Sequence, residues 1–169
     1  VQVFVGVGGS LSGATASSTV VNGPLGLGGS VGSLTLVSIK DKGALPATTD
    51  DKNYLGVIAS GLTADLIGLE ALLEFHASAN LALNKATDGL GAPSTKLDWA
   101  TLGTTGTTGL TLPTLTGLTS TLDVHLDGTV ALNALSGVLV AAGGFELELG
   151  QVSTVNPNNT VTFTNADAL

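Results

Sequence analysis

Two short segments carry residue types that could do chemistry. Glu74-Phe75-His76 and Asp123-Val124-His125 each place a carboxylate and an imidazole two residues apart. In an extended strand such residues share a face, about 6–7 Å from one another. On neighbouring strands the two segments would bring two imidazoles and two carboxylates together, an acceptable ligand set for a divalent transition metal. Glu74, His76, Asp123 and His125 are therefore the candidate metal ligands. The simpler interpretation is a wet strand face bearing ordinary polar residues, which needs no assumption about which strands pair.

Other acidic residues support less. Asp41, Asp50 and Asp51 lie close in sequence and could offer oxygens to Ca²⁺, which takes six to eight of them. Lys40, Lys42 and Lys52 are interspersed and compete for the same carboxylates. Asp123 with Asp127, and Glu146 with Glu148, are carboxylate pairs of the kind a glycosidase uses. Sugar-processing sites also want aromatic platforms, and only Trp99 and Tyr54 are on offer beyond four Phe. Gly28–Gly32 (GGSVG) matches the nucleophile-elbow pattern in letters, but no strand-turn-helix context surrounds it. No glycine run leads into Lys-Ser or Lys-Thr, so no phosphate-binding loop is expected. With no Cys, thiol catalysis, thiolate metal sites and disulfides are excluded. The residues point away from an enzyme and call for no cofactor, Ca²⁺ or a transition metal at the positions above being the exceptions.

The elements that must position these residues are strands. From Leu73 to Asn84 the chain reads LEFHASANLALN, with Leu73, Phe75, Ala77, Ala79, Leu81 and Leu83 on one parity. Glu74, His76, Ser78, Asn80 and Asn84 take the other, and Ala82 alone breaks the polar set. Such alternation predicts a strand with one buried and one wet face. Leu122–Asn133 (LDVHLDGTVALN) aligns with it without gaps, and upstream Gly68-Leu69 recurs as Gly117-Leu118. Residues 68–84 and 117–133 thus form an internal duplication, a signature of repeat architectures.

Composition agrees with a β-rich chain. Its 169 residues are enough for one domain with a core. Hydrophobic residues reach 43% while aromatics are 4%, so the core must be aliphatic, and 24 Gly suit strands joined by tight turns. Thirteen acidic residues oppose five Lys and no Arg, for a formal charge of −8. That balance argues against nucleic acid and anionic membrane surfaces as partners. Apolar runs are short and broken by Gly, so insertion into a membrane as a helix is not expected.

Taken in order, Val1–Val7 reads as a strand ending at Gly8-Gly9, and Leu34–Ile39 as another. The intervening Pro24–Gly32 is too rich in Gly for a helix. Lys40–Asn53 reads as a surface loop, and Tyr54–Ser60 as a strand turned by Gly61. For residues 63–73 helix and strand compete, and strand is preferred. Leu110, Leu112 and Leu115 predict partial burial within a Thr/Gly/Leu-rich connection. Val138–Ala142 reads as a strand turned by Gly143-Gly144, Asn156–Asn159 as a turn, and Thr160–Thr164 as a last strand.

Four segments carry a family resemblance: FVGVGGSL (4–11), TKLDWA (95–100), GGFELELGQV (143–152) and FTNADAL (163–169). They resemble repeat units of giant bacterial repetitive proteins of the RTX-like and adhesin type. The resemblance implies an extracellular or cell-surface β-rich module. The calcium-binding G-G-x-G-x-D nonapeptide is missing, so calcium-driven folding of the RTX kind is not implied. The expectation is a mainly β, elongated β-solenoid-like or stacked-sheet repeat module spanning 1–169, with a β-sandwich as the rival. The chain opens inside an apparent strand and closes on an apolar residue, so it reads as one unit excised from a tandem array. The expected role is structural, in an extracellular fibre or adhesin whose partners are other copies or adjacent repeats. The alternative is a carbohydrate- or metal-binding extracellular module, with surface carbohydrate as partner.

Overall fold

The structure, a computed structural model, describes residues 1–13, 17–44, 47–102, 111–155 and 162–169, with side chains described for these except 154, 155 and 162–165. The chain is mainly β, and no α-helix occurs among the described residues. The strands are β1 (Gln2–Val7), β2 (Ser10–Ser12), β3 (Thr19–Val21), β4 (Leu25–Asp41), β5 (Lys52–Ile67), β6 (Leu73–Asp88), β7 (Leu122–Ala134), β8 (Leu139–Val155) and β9 (Thr162–Ala168). Seven pair in one open sheet, in the order β1-β4-β5-β6-β7-β8-β9, and β2 and β3 form a separate hairpin. Apart from that hairpin, each strand lies beside its neighbour in sequence. The sheet is thus a meander and not the coil of rungs expected of a solenoid. A meander is the shortest connection available to antiparallel strands.

The long strands correct several expected breaks. β4 runs unbroken through the Gly-rich 25–32 segment, because glycines there meet a partner that needs them small. In the β1–β4 pair Gly6 faces Gly26 and Phe4 faces Gly28. A Cβ at Gly6 or Gly26 would lie 2.7 Å from the tip of the Phe4 ring, which rests over both. Likewise Gly61 does not end its strand. It adopts φ +62° inside β5, and its N–H is accepted by Asn80 Oδ1 at 3.3 Å. Gly143-Gly144 also continues as strand, within β8. Glycine weakens a strand without ending it where flanking strands supply the ladder. The last strand begins at Thr162 and runs on to Ala168, and the expected turn at Asn156–Asn159 lies outside the described residues.

Residues 63–73 divide between strand and turn. β5 continues to Ile67, after which Gly68 turns at φ +82°, and the N–H groups of Leu72 and Leu73 donate to Leu69 O. Its duplicate Gly117 has φ +93°. The repeated Gly-Leu pair is therefore a left-handed turn before a strand in both copies, a conformation glycine reaches at no steric cost.

The chain forms two compact units: residues 1–34, 59–80 and 127–146 in the first, and 35–58, 81–126 and 147–169 in the second. The strands β4 to β8 contribute to both. Apolar burial is uneven. The core cluster of Val37, Tyr54, Ala86, Trp99, Leu115, Leu118 and Leu122 lies wholly in the second unit. Among the described residues, the first unit contributes only Ala59 to the buried apolar set.

Candidate functional site

The second unit owes its core to the connection between β6 and β7. Residues 91–94 double back along the end of β6, with Ser94 N–H on Ala86 O and Asp88 N–H on Ala92 O. The Asp88 carboxylate accepts the N–H groups of Leu90 and Ala92, both at 2.9 Å, which fixes the turn. On either side of residues 103–110 the connection packs Trp99, Leu115 and Leu118 into the core, all nearly or fully buried. Leu112 is partly buried, and Leu110 lies outside the described residues. The face beneath is cut away to receive them. A Cβ at Gly56 would sit 2.6 Å from Leu115 Cδ1 and 2.9 Å from Trp99 Cε2.

Asn84 holds this cover in place. It was expected on a wet face and is instead 2% exposed. Its Oδ1 accepts the Trp99 indole N–H at 2.9 Å, and its Nδ2 donates to Leu97 O and Thr119 O, both at 2.8 Å. A buried amide is tolerated when its groups are paired in this way. Ala82, the one apolar residue on the polar parity of the duplicated strand, marks where that face becomes covered. Trp99 and Tyr54 are both core residues, so neither serves as an exposed platform for sugar.

Beside this cover lies a cleft of about 700 Å³ within the second unit. Leu83, Val124 and Leu149 line its apolar part, and Ser94, Lys96, Asp123, Gln151 and Asp167 supply polar groups. The Lys96 side chain is 7% exposed; its ammonium meets Asp123 Oδ1 at 2.8 Å and donates to Thr121 O at 3.3 Å. A buried ammonium needs such partners to offset its lost hydration. An adjacent donor and acceptor at an apolar wall can hold neighbouring hydroxyls of a polar ligand, the lysine donating and the aspartate accepting. Lys96 belongs to no recognisable motif of binding residues. Its only signal was its place beside Trp99 in TKLDWA.

In the first unit one sheet face carries a row of cross-strand polar pairs: Ser30 with Thr63, Asp65 with His76, Ser78 with Thr129, and Asn80 with Asp127. His76 Nδ1 lies 2.7 Å from Asp65 Oδ1. The hydrogen bond with the Asp65 carboxylate leads in raising the His76 pKa above its ordinary value; desolvation opposes it, and the charges of Asp65, Glu74 and Glu70 add to the raising.

The four candidate metal ligands each have surroundings of their own. Glu74 and His76 belong to the first unit, Asp123 and His125 to the second. Glu74 Oε2 accepts from Asn133 Nδ2 at 3.0 Å, His76 engages Asp65, and Asp123 engages Lys96. The duplicated strands do pair. Glu74 with Asn133, Ser78 with Thr129, and Asn80 with Asp127 define one antiparallel register. In that register each acidic residue lies opposite the asparagine of the other copy. His76 lies opposite Ala131, and His125 opposite Ala82. His125 instead has a ring nitrogen and a Glu148 oxygen within 4.8 Å of one another. Of the candidate calcium residues, Asp41 ends β4, and Asp50 and Asp51 close the β4–β5 loop. Asp50 accepts from Ala44 N–H, and buried Asp51 accepts from Gly43 N–H and pairs with Lys40 at 2.9 Å. The hydrogen bond from Lys40 leads in lowering the Asp51 pKa; burial opposes it, and Gly43 N–H and the nearby lysine charges add to the lowering.

Comparison of the chain with protein-family models, with curated proteins and with solved structures returns no match.

Proposed function

We propose that this chain is a structural module of an extracellular bacterial fibre or adhesin, joining copies of itself through its sheet. The observation that carries this reading is the open sheet, which ends in β1 on one side and β9 on the other. Open edges are templates for further strands. Aliphatic side chains exposed along β1 and β4, among them Val3, Val5, Leu25 and Leu27, point the same way. The four-segment resemblance to giant repetitive surface proteins supplies the extracellular setting, and stacked or laterally joined sheets would be the higher-order form. The role is mechanical and not catalytic.

The test is the mass of the purified chain in solution. Sedimentation velocity over a concentration series should give species heavier than the 16.6 kDa monomer. A monomer at every concentration would overturn the reading.

A second reading rests on the cleft at Lys96 and Asp123, as a carbohydrate-binding module. A glycan array probed with the whole chain should then give signals that Lys96→Met abolishes; a blank array removes this alternative.

A further inference from the structure

We propose that β1 is a self-complementary edge, pairing antiparallel with β1 of a second copy about a two-fold axis through Phe4. This rests on the reading of the chain as an assembling module and names the contact.

The hydrogen-bonding phase of β1 fixes which groups are free. Val1 N donates to Val31 O, and Val31 N donates to Val1 O, both at 2.7 Å. An exchange of both bonds marks a hydrogen-bonded pair, and in an antiparallel ladder that character alternates from residue to residue. Val3, Val5 and Val7, opposite Gly29, Leu27 and Leu25, continue the same phase. Gln2, Phe4 and Gly6 therefore direct their backbone N–H and C=O groups away from β4. No strand pairs with β1 on that side among the described residues. The nearby β2–β3 hairpin donates Val20 N–H to the Gln2 side chain, at Oε1.

The edge also lacks the usual guards. Gln2–Val7 contains no charged residue and no proline, and its register with β4 is unbroken. Native edges are commonly blunted by charge, proline or a bulge. The opposite edge differs: β9 contains Asp167, and its pairing with β8 shifts register between Val152 and Thr154. Of the two edges, β1 is the one without a charge or a register shift among the described residues.

β1 is also suited to itself. With Phe4 on the axis, Gln2 faces Gly6 of the second copy, Val3 faces Val5, and Val1 faces Val7. The free phase then forms about six backbone hydrogen bonds, two for each such pair. The valines, 57–86% exposed in the single chain, gain apolar cross-strand partners. Such a contact is isologous and uses the same edge of both copies, so it yields a dimer and closes.

A charge swap tests the contact. Val3→Lys with Val5→Lys places lysine opposite lysine across the axis, and Val3→Glu with Val5→Glu places glutamate opposite glutamate. Both positions are solvent-exposed, and circular dichroism checks that each variant keeps its strands. By sedimentation, the parent chain should be dimeric and each variant monomeric, with the two variants mixed giving a heterodimer. Variants that associate as the parent does, or a mixture that stays monomeric, would remove the β1 contact and leave the broader module reading standing. A monomeric parent would remove both.

Discussion

Asn84 and Asn133 follow the same dipeptide, Ala-Leu, at the ends of two copies of one strand. Their surroundings assign them different energies. Asn84 satisfies one indole N–H and two carbonyls inside the cover of the second unit. Asn133 makes one bond to Glu74, and its Oδ1 is buried with no hydrogen-bond partner. Asn84→Ala should lower stability by about 3 kcal/mol, since it strands several buried polar groups at once. Asn133→Ala should cost about 1 kcal/mol or less, because it also removes an oxygen that already lacks a partner. Urea denaturation of the two variants measures both. His76 gives a pH prediction. Its pKa is raised in the folded chain, so the Asp65–His76 pair contributes stability in full below the ordinary histidine value of 6.5. That contribution is lost as pH rises through the raised value. NMR titration of the ring should place His76 above 6.5, and Asp65→Asn should bring it back down.

The connection over the second unit and the long glycine-bearing strands are where local sequence and final structure diverge. Alternation identified β6 and β7, because a strand with unlike faces leaves a period of two. It did not identify β4 or β8 at their full lengths. Glycine has no side chain to show periodicity, and what keeps those segments extended is the strand on either side. The burial of Asn84 was half visible: Ala82 breaks the polar parity, but the cover responsible arrives from Trp99, Leu115 and Leu118, which are distant in sequence. Gly56 supplies the matching test. Gly56→Ala should cost about 1–3 kcal/mol by pressing a methyl group into Leu115 and Trp99. Leu118→Ala should cost about 3 kcal/mol by opening a cavity. The emission of the single tryptophan should move to longer wavelength in whichever variant loosens the cover.

For the whole molecule, the sequence carried the β class and the duplication but not the direction in which the copies pair. Direction decides the fate of the proposed metal set. Side-by-side copies in parallel would have aligned each residue with its own duplicate, whereas antiparallel copies set acid against asparagine. The cleft around Lys96 and Asp123 joins residues from separate stretches, and no local motif announces it. Assembly through sheet edges needs neither histidine. The double variant His76→Ala, His125→Ala should therefore sediment as the parent chain does, and altered association in it would count against edge-driven assembly.

The antiparallel register of β6 and β7 has an implication for ancestry. A segment duplicated within one chain and paired antiparallel adopts the arrangement two separate molecules would take around a dyad. Only one position then meets its own duplicate. Here that is Ala79 against Gly128, where a Cβ on the glycine would come within 2.9 Å of the Ala79 Cα. Small residues occupy the place where any side chain would have had to meet itself. The β6–β7 pair has the form of a fused homodimer, in which covalent linkage released each half from symmetry. In one half the asparagine meets a tryptophan, and in the other the opposing glutamate.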